Sequence, residues 1–155
     1  MTQTTKFFQF EADFVDSLRC IPMQVRLKLD TCGIKLKLPQ WNRFSIQDRE
    51  ILVDLPCETE SQKQNYKELL QRLVLQYTGE EATELAIDPN PAWKNTNAIA
   101  PSVEEKAKEI GITITQQQWA SLSPEQRFAL IKLSRSNHEN QNFLPALKEF
   151  NLLQK

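Results

Sequence analysis

Three glycines, three cysteines and a single histidine are spread over 155 residues, and each scarcity removes a class of function. The glycines stand far apart at 33, 79 and 111, so no Gly-rich phosphate loop can be assembled from them. The one histidine, His138, lies in the polar run Ser136-Asn137-His138-Glu139-Asn140, and the chain has no Gly-x-Ser-x-Gly turn. A serine or cysteine nucleophile would therefore lack a base within reach, and His138 reads as a surface residue at a helix end. Cys20, Cys32 and Cys57 are odd in number and far apart, which fits neither a disulfide framework nor the closely spaced ligand pairs of zinc and iron-sulfur sites. They suit a reducing compartment and ordinary buried thiols.

Long hydrophobic runs are missing too. No stretch has the length to span a membrane, and MTQTTKFFQF offers no apolar segment long enough for a signal peptide, so a cytoplasmic location is expected. Nor is there an excess of one charge: 19 basic residues face 20 acidic ones, for a net charge of -1. This argues against wholesale nucleic-acid or membrane-surface binding. The adjacent carboxylates Glu80-Glu81 and Glu104-Glu105 fall in polar linker or first-turn positions, where solvated charge explains them. The chain is expected not to be an enzyme and to hold no cofactor of its own.

What is present is a sequence with 40% apolar and 25% charged residues, ordinary for a globular protein and long enough to bury a core without a metal or disulfide staple. Few glycines and tyrosines against many Leu, Gln, Glu and Lys lean it toward helix. Its main organisation is a repeat. Val25 to Leu55 lies over Val103 to Leu133 without a gap, and ten pairs are identical: Val25/Val103, Lys28/Lys106, Gly33/Gly111, Ile34/Ile112, Gln40/Gln118, Trp41/Trp119, Ser45/Ser123, Arg49/Arg127, Leu52/Leu130 and Leu55/Leu133. Unrelated sequences of average composition would match at roughly two positions.

Local signals divide each copy into helices. Phe10, Phe14 and Leu18 suggest a short helix ending near Cys20. Pro22 opens a second, which puts Val25, Leu29 and Cys32 on one side and stops at Gly33. Lys35 to Leu38 reads as a short extended link, with Pro39 starting a turn through Trp41 and Phe44. Ser45 caps the helix that runs to Pro56. Thr59 and Gln62 form a capping box before the longest helix, which carries Tyr66, Leu69, Leu70, Leu73, Val74 and Tyr77 and ends at Gly79. From Glu80 to Ala100 the chain reads as an ordered crossing held down by Trp93. Ser102/Glu105, Thr115/Gln118 and Ser123/Gln126 are then three capping boxes in a row, with Pro124 in the last. In the closing helix Phe143, Leu147 and Phe150 echo Tyr66, Leu70 and Leu73.

The expected fold is all-α: a single helical domain over 1–155, built from two internally duplicated multi-helix halves with approximate two-fold pseudo-symmetry. The first unit covers about 22–78, the linker about 79–100 and the second unit about 101–155.

The copies differ in charge. Arg19, Arg26, Lys28, Lys35, Lys37 and Arg43 stand against Asp30 alone in the first, whereas Glu104, Glu105 and Glu109 mix with Lys106 and Lys108 in the second. Such a basic face is either plain solvated surface or a dock for an acidic protein or for nucleic acid. Arg49 and Arg127 sit in the first turn of a capped helix, an unfavourable place for a cation that reaches no partner. With a tryptophan eight residues before each, they read as structural bridges.

Phe8-Gln9-Phe10-Glu11-Ala12-Asp13-Phe14, Leu18-Arg19-Cys20-Ile21-Pro22-Met23, Val25-Arg26, Lys28-Leu29-Asp30, Gly33-Ile34-Lys35-Leu36 and Pro56-Cys57 together resemble the nitrate reductase-associated proteins found mainly in cyanobacteria. The Leu-Arg-Cys-Ile-Pro-Met run is the most specific part. The resemblance implies an accessory or maturation factor for cytoplasmic assimilatory nitrate reductase, whose partners are that reductase or its cofactor-maturation proteins. It supplies no catalytic residues to carry over. The candidate partner-binding residues are Arg19, Arg26, Lys28, Lys35, Lys37 and Arg43. Alternatives are a thiol-based metal or iron-sulfur carrier using Cys20 and Cys57, which bracket the first copy, and a nucleic-acid-binding regulator using the same basic face.

Overall fold

A carboxylate brought from twelve residues upstream starts the first long helix of the chain. In the computed structural model, which describes residues 7–12, 18–135 and 140–153, helix α1 (Met23–Cys32) follows Pro22, whose ring offers no side-chain cap. Glu11 takes over that role. Its buried carboxylate accepts from the backbone N-H of Met23 at 3.1 Å and of Phe8 at 3.1 Å, so a negative charge sits on the positive end of the helix. α1 ends at Gly33 in the left-handed conformation, φ 79°.

The short helix expected before α1 falls mostly on residues 13–17, outside the described residues; ahead of them Gln9–Glu11 make a 3-10 turn and Ala12 is helical, and after them Leu18 has φ 59°. Phe14, on which the expected short helix rested, lies outside the described residues, as does His138.

After Gly33 come β1 (Ile34–Lys35), α2 (Leu38–Arg43), α3 (Ile46–Asp54) and α4 (Glu60–Thr78), then β2 (Thr83–Glu84). Ser45 caps α3 by accepting from Asp48 N-H at 3.1 Å, and Thr59 with Gln62 closes the capping box of α4, as their spacing predicts. The fold is mostly helical, with one addition to the all-α expectation. β1 and β2 pair antiparallel, Ile34 opposite Glu84 and Lys35 opposite Thr83. Two-residue strands have no alternation to reveal them; their pairing is fixed from outside. Gln71 on α4 donates to the Ala82 carbonyl at 2.9 Å and accepts from its N-H at 2.8 Å, and Leu85 N-H reaches the Gly33 carbonyl at 2.8 Å.

The chain falls into two compact units, Met1–Ile87 and Asp88–Lys155. In the first, Trp41, Leu52, Tyr66, Leu70 and Val74 fill the core. Tyr66 satisfies its hydroxyl on the Leu52 carbonyl at 2.8 Å, and Tyr77 ties α4 to α3 through Asp48 at 2.8 Å. The second unit has a 3-10 turn at Ala92–Lys94, then α5 (Pro101–Glu109), α6 (Gln116–Ser121), α7 (Pro124–Arg135), a further 3-10 turn at Asn140–Asn142, and α8 (Phe143–Glu149). Phe128, Phe143 and Leu147 are buried in it, and Trp93 meets Phe128 edge-on with ring centres 5.9 Å apart.

Two of the three expected capping boxes of this unit are formed, at Thr115/Gln118 and Ser123/Gln126. The third is not. Ala100 is the cap residue of α5, Pro101 is its first residue, and Ser102 is two positions too late; its hydroxyl accepts instead from Ser134 at 2.9 Å. No helix among the described residues is long and apolar enough to cross a membrane.

Candidate functional site

Tryptophan and arginine do the same work in each unit. In the first, Trp41 is fully buried and donates its indole N-H to the Leu18 carbonyl at 2.7 Å. Arg49, also buried, reaches that same carbonyl at 3.0 Å and binds the carbonyls of Asn42 (3.0 Å) and Phe44 (3.0 and 3.2 Å). Asn42 and Phe44 are at the end of α2, where carbonyls lack helical partners and the helix dipole favours a cation. The guanidinium thus stands in the first turn of α3 while serving the last turn of α2. The left-handed turn at Leu18 presents one carbonyl to both donors, at a conformational cost of roughly 1–2 kcal/mol for a non-glycine residue.

In the second unit Trp119 donates to the Asn95 carbonyl at 2.8 Å. Arg127 binds the carbonyls of Trp93 at 2.8 Å, Trp119 at 3.3 Å and Leu122. Burial pulls the Arg127 guanidinium below its usual range, with Glu125 opposing the shift. Both pairs are structural bridges, made through main-chain oxygen.

The six candidate partner-binding cations all belong to the first unit, and the structure separates them. Arg19 is exposed in the Leu-Arg-Cys-Ile-Pro-Met run, whose Leu18, Pro22 and Met23 are buried. Lys35 on β1, Lys37 just before α2 and Arg43 in its last turn are exposed as well. Arg26 on α1 is half-buried. Lys28 is engaged internally. Its ammonium donates to the Val53 and Leu55 carbonyls at 2.7 Å each, closing the C-terminal end of α3, and lies 5.6 Å from the centre of the Tyr66 ring. Its counterpart Lys106 instead meets Glu109 at 3.4 Å on the surface.

The sequence reads the cysteines as ordinary buried thiols, with a site shared by Cys20 and Cys57 as the alternative. Cys20 is half-buried, while Cys32 and Cys57 are both buried in the core of the first unit. The thiol that Cys57 meets is that of Cys32. Their sulfurs lie on neighbouring carbonyls of one α1 turn, Cys32 on Leu29 at 3.8 Å and Cys57 on Lys28 at 4.0 Å. The Cys32 thiol is pushed far up, first by its hydrogen bond to Cys57 and then by burial. That same hydrogen bond lowers Cys57, aided by Lys28 and Lys63 and opposed by burial. Sequence reading placed Cys32 on the apolar face of α1, which is correct; nothing local could show that the loop after α3 returns to that helix turn.

No group of three or more His, Cys, Asp or Glu is gathered for a metal among the described residues. A shallow groove of about 370 Å³ in the second unit is lined by Thr115, Gln118, Ser121, Gln126, Phe150 and Leu152, among others. Gln118 and Gln126 already spend their side-chain carbonyls on helix caps, so the groove offers little that is unsatisfied to a ligand.

No curated protein and no solved structure matches the chain. A family does: its members are described as conserved nitrate reductase-associated protein, and the match covers residues 7–150. The description names an associated protein rather than the reductase itself, and the extent of the match leaves no doubt that this chain belongs to the nitrate reductase-associated family.

Proposed function

We propose that the chain is a cytoplasmic accessory or maturation factor that supports assimilatory nitrate reductase by binding the reductase or the proteins that load its cofactors. Family membership across residues 7–150 is the observation that carries this reading. The contact we assign is the exposed part of the basic stretch, Arg19, Lys35, Lys37 and Arg43, with Arg26 at its margin. Lys28 is set apart, because its ammonium is already bonded to two carbonyls. Exposed cations of one sign recruit an acidic surface mainly by raising the rate of encounter, and salt weakens them.

The test is capture of the reductase from a cell extract on the immobilised chain. Wild type is expected to retain it at low salt. The variant R19E/K35E/K37E/R43E, which alters only exposed side chains, is expected to weaken retention by about tenfold or more. Equal retention by both proteins would remove the basic stretch from the contact, and failure of the wild type to retain the reductase or its maturation proteins would remove the partner.

We further infer that the units arose by duplication and diverged in use. Supporting this, α1, α2 and α3 begin at residues 23, 38 and 46, and α5, α6 and α7 at 101, 116 and 124, a constant offset of 78. Gly33 and Gly111 share φ 79°, and the Trp-Arg bridges use equivalent carbonyls at Phe44 and Leu122. The shared parts are scaffold; the unshared basic stretch and Cys57 are where the first unit acquired its own role.

A further inference from the structure

We propose that Cys32 and Cys57 form a reversible dithiol-disulfide pair, with Cys57 the sulfur that meets the oxidant and Cys32 the one that resolves it. The geometry is that of two free thiols from different parts of the chain converging on a single turn of α1. Cys32 is the last residue of that helix and Cys57 lies in the loop between α3 and α4, their sulfurs resting on the adjacent carbonyls of Leu29 and Lys28. Lys28 fastens the same two pieces of chain, through the Val53 and Leu55 carbonyls, so the sulfurs are held together without a covalent bond.

Polarity within the pair follows from its surroundings. The Cys32 thiol donates toward Cys57, and the ammonium groups of Lys28 and Lys63 favour a negative charge on Cys57. Lys67 bears weakly on Cys32, and the neutral Tyr66 phenol, kept protonated by burial and by both sulfurs, completes the lining. The thiolate is the nucleophile in cysteine redox chemistry, so Cys57 reacts first.

The oxidant is a hydroperoxide, of which hydrogen peroxide is small enough to reach a buried residue that is 7% exposed. The Cys57 thiolate attacks one peroxide oxygen: an S-O bond forms, the O-O bond breaks, and hydroxide leaves to become water on taking up a proton. The sulfur of Cys32 then attacks the sulfenic sulfur of Cys57. The S-S bond forms, the S-O bond breaks, and hydroxide departs with the Cys32 proton as a second water. Two thiols are oxidised to one disulfide and one peroxide is reduced to two waters; a small dithiol reverses the change by exchange. This pair does not depend on the reading of the partner.

The reduced full-length chain is to be treated with hydrogen peroxide, quenched by alkylation, digested with trypsin and mapped without reduction. The expected result is a link between the Cys32 and Cys57 peptides within one chain, lost on addition of dithiothreitol and retained in C20S. Before oxidation, Cys57 is expected to alkylate at pH 7 about tenfold faster than Cys32. Overturning results are sulfinic acid on Cys57 beside a free Cys32 thiol, a disulfide through Cys20, or both thiols untouched. None of these readouts requires substitution of a buried cysteine, so a folding failure cannot obscure the answer.

Discussion

Replacing Arg49 with alanine is expected to destabilise the first unit by about 3 kcal/mol or more, and Arg49→Lys to recover only a fraction of it. The guanidinium makes four hydrogen bonds to three carbonyls, of Leu18, Asn42 and Phe44. Each buried acceptor left without a donor costs about 1–3 kcal/mol. A lysine carries one ammonium on a flexible stem and cannot reproduce the planar fork that spans these oxygens. The denaturant midpoint should fall with little change in slope if the unit stays cooperative. Because Trp41 donates to the same Leu18 carbonyl, Arg49→Ala and Trp41→Phe should not add: a double-mutant cycle is expected to show a coupling of about 1 kcal/mol. Strict additivity would mean that the shared carbonyl does not join them.

Gly33→Ala is expected to cost far more than Gly111→Ala, although both glycines have φ 79°. Both substitutions carry the left-handed penalty of roughly 1–2 kcal/mol. Only at Gly33 does an added Cβ strike something: it would stand 2.7 Å from the Leu85 carbonyl oxygen and 2.9 Å from the Ile87 side chain, whereas nothing lies within 4 Å at Gly111. Relief requires backbone movement in the segment whose Leu85 N-H binds the Gly33 carbonyl, and with it the β1-β2 pairing. Overpacking of this kind adds about 1–3 kcal/mol. Thermal unfolding of the two variants should therefore separate them clearly; equal losses would contradict the close approach at Gly33.

These cases show which features can be read from a chain and which cannot. Ser45, Thr59, Thr115 and Ser123 are legible because a helix cap is settled within four residues, and the stops at Gly33 and Gly79 are equally local. Ser102 has the right neighbours in sequence but the wrong register, since Ala100 and Pro101 begin α5 first. Pairings between distant segments are hidden. Glu11 on the start of α1, β1 on β2, and Cys57 beside Cys32 each depend on where the chain returns. Lys28 makes the point within the candidate site. It is identical to Lys106 in sequence, yet one closes the C-terminal end of α3 and the other meets a surface glutamate, a difference set by the surroundings of each lysine and not by the residue itself.

The most direct measurement of the central claim is nitrate reductase activity in extracts of a strain lacking this chain, with either wild type or R19E/K35E/K37E/R43E restored. An accessory factor acting through its exposed basic stretch is expected to give reduced activity in the deletion strain, recovered by the wild-type chain and not by the charge-reversed one. Unchanged activity in the deletion strain would contradict the account.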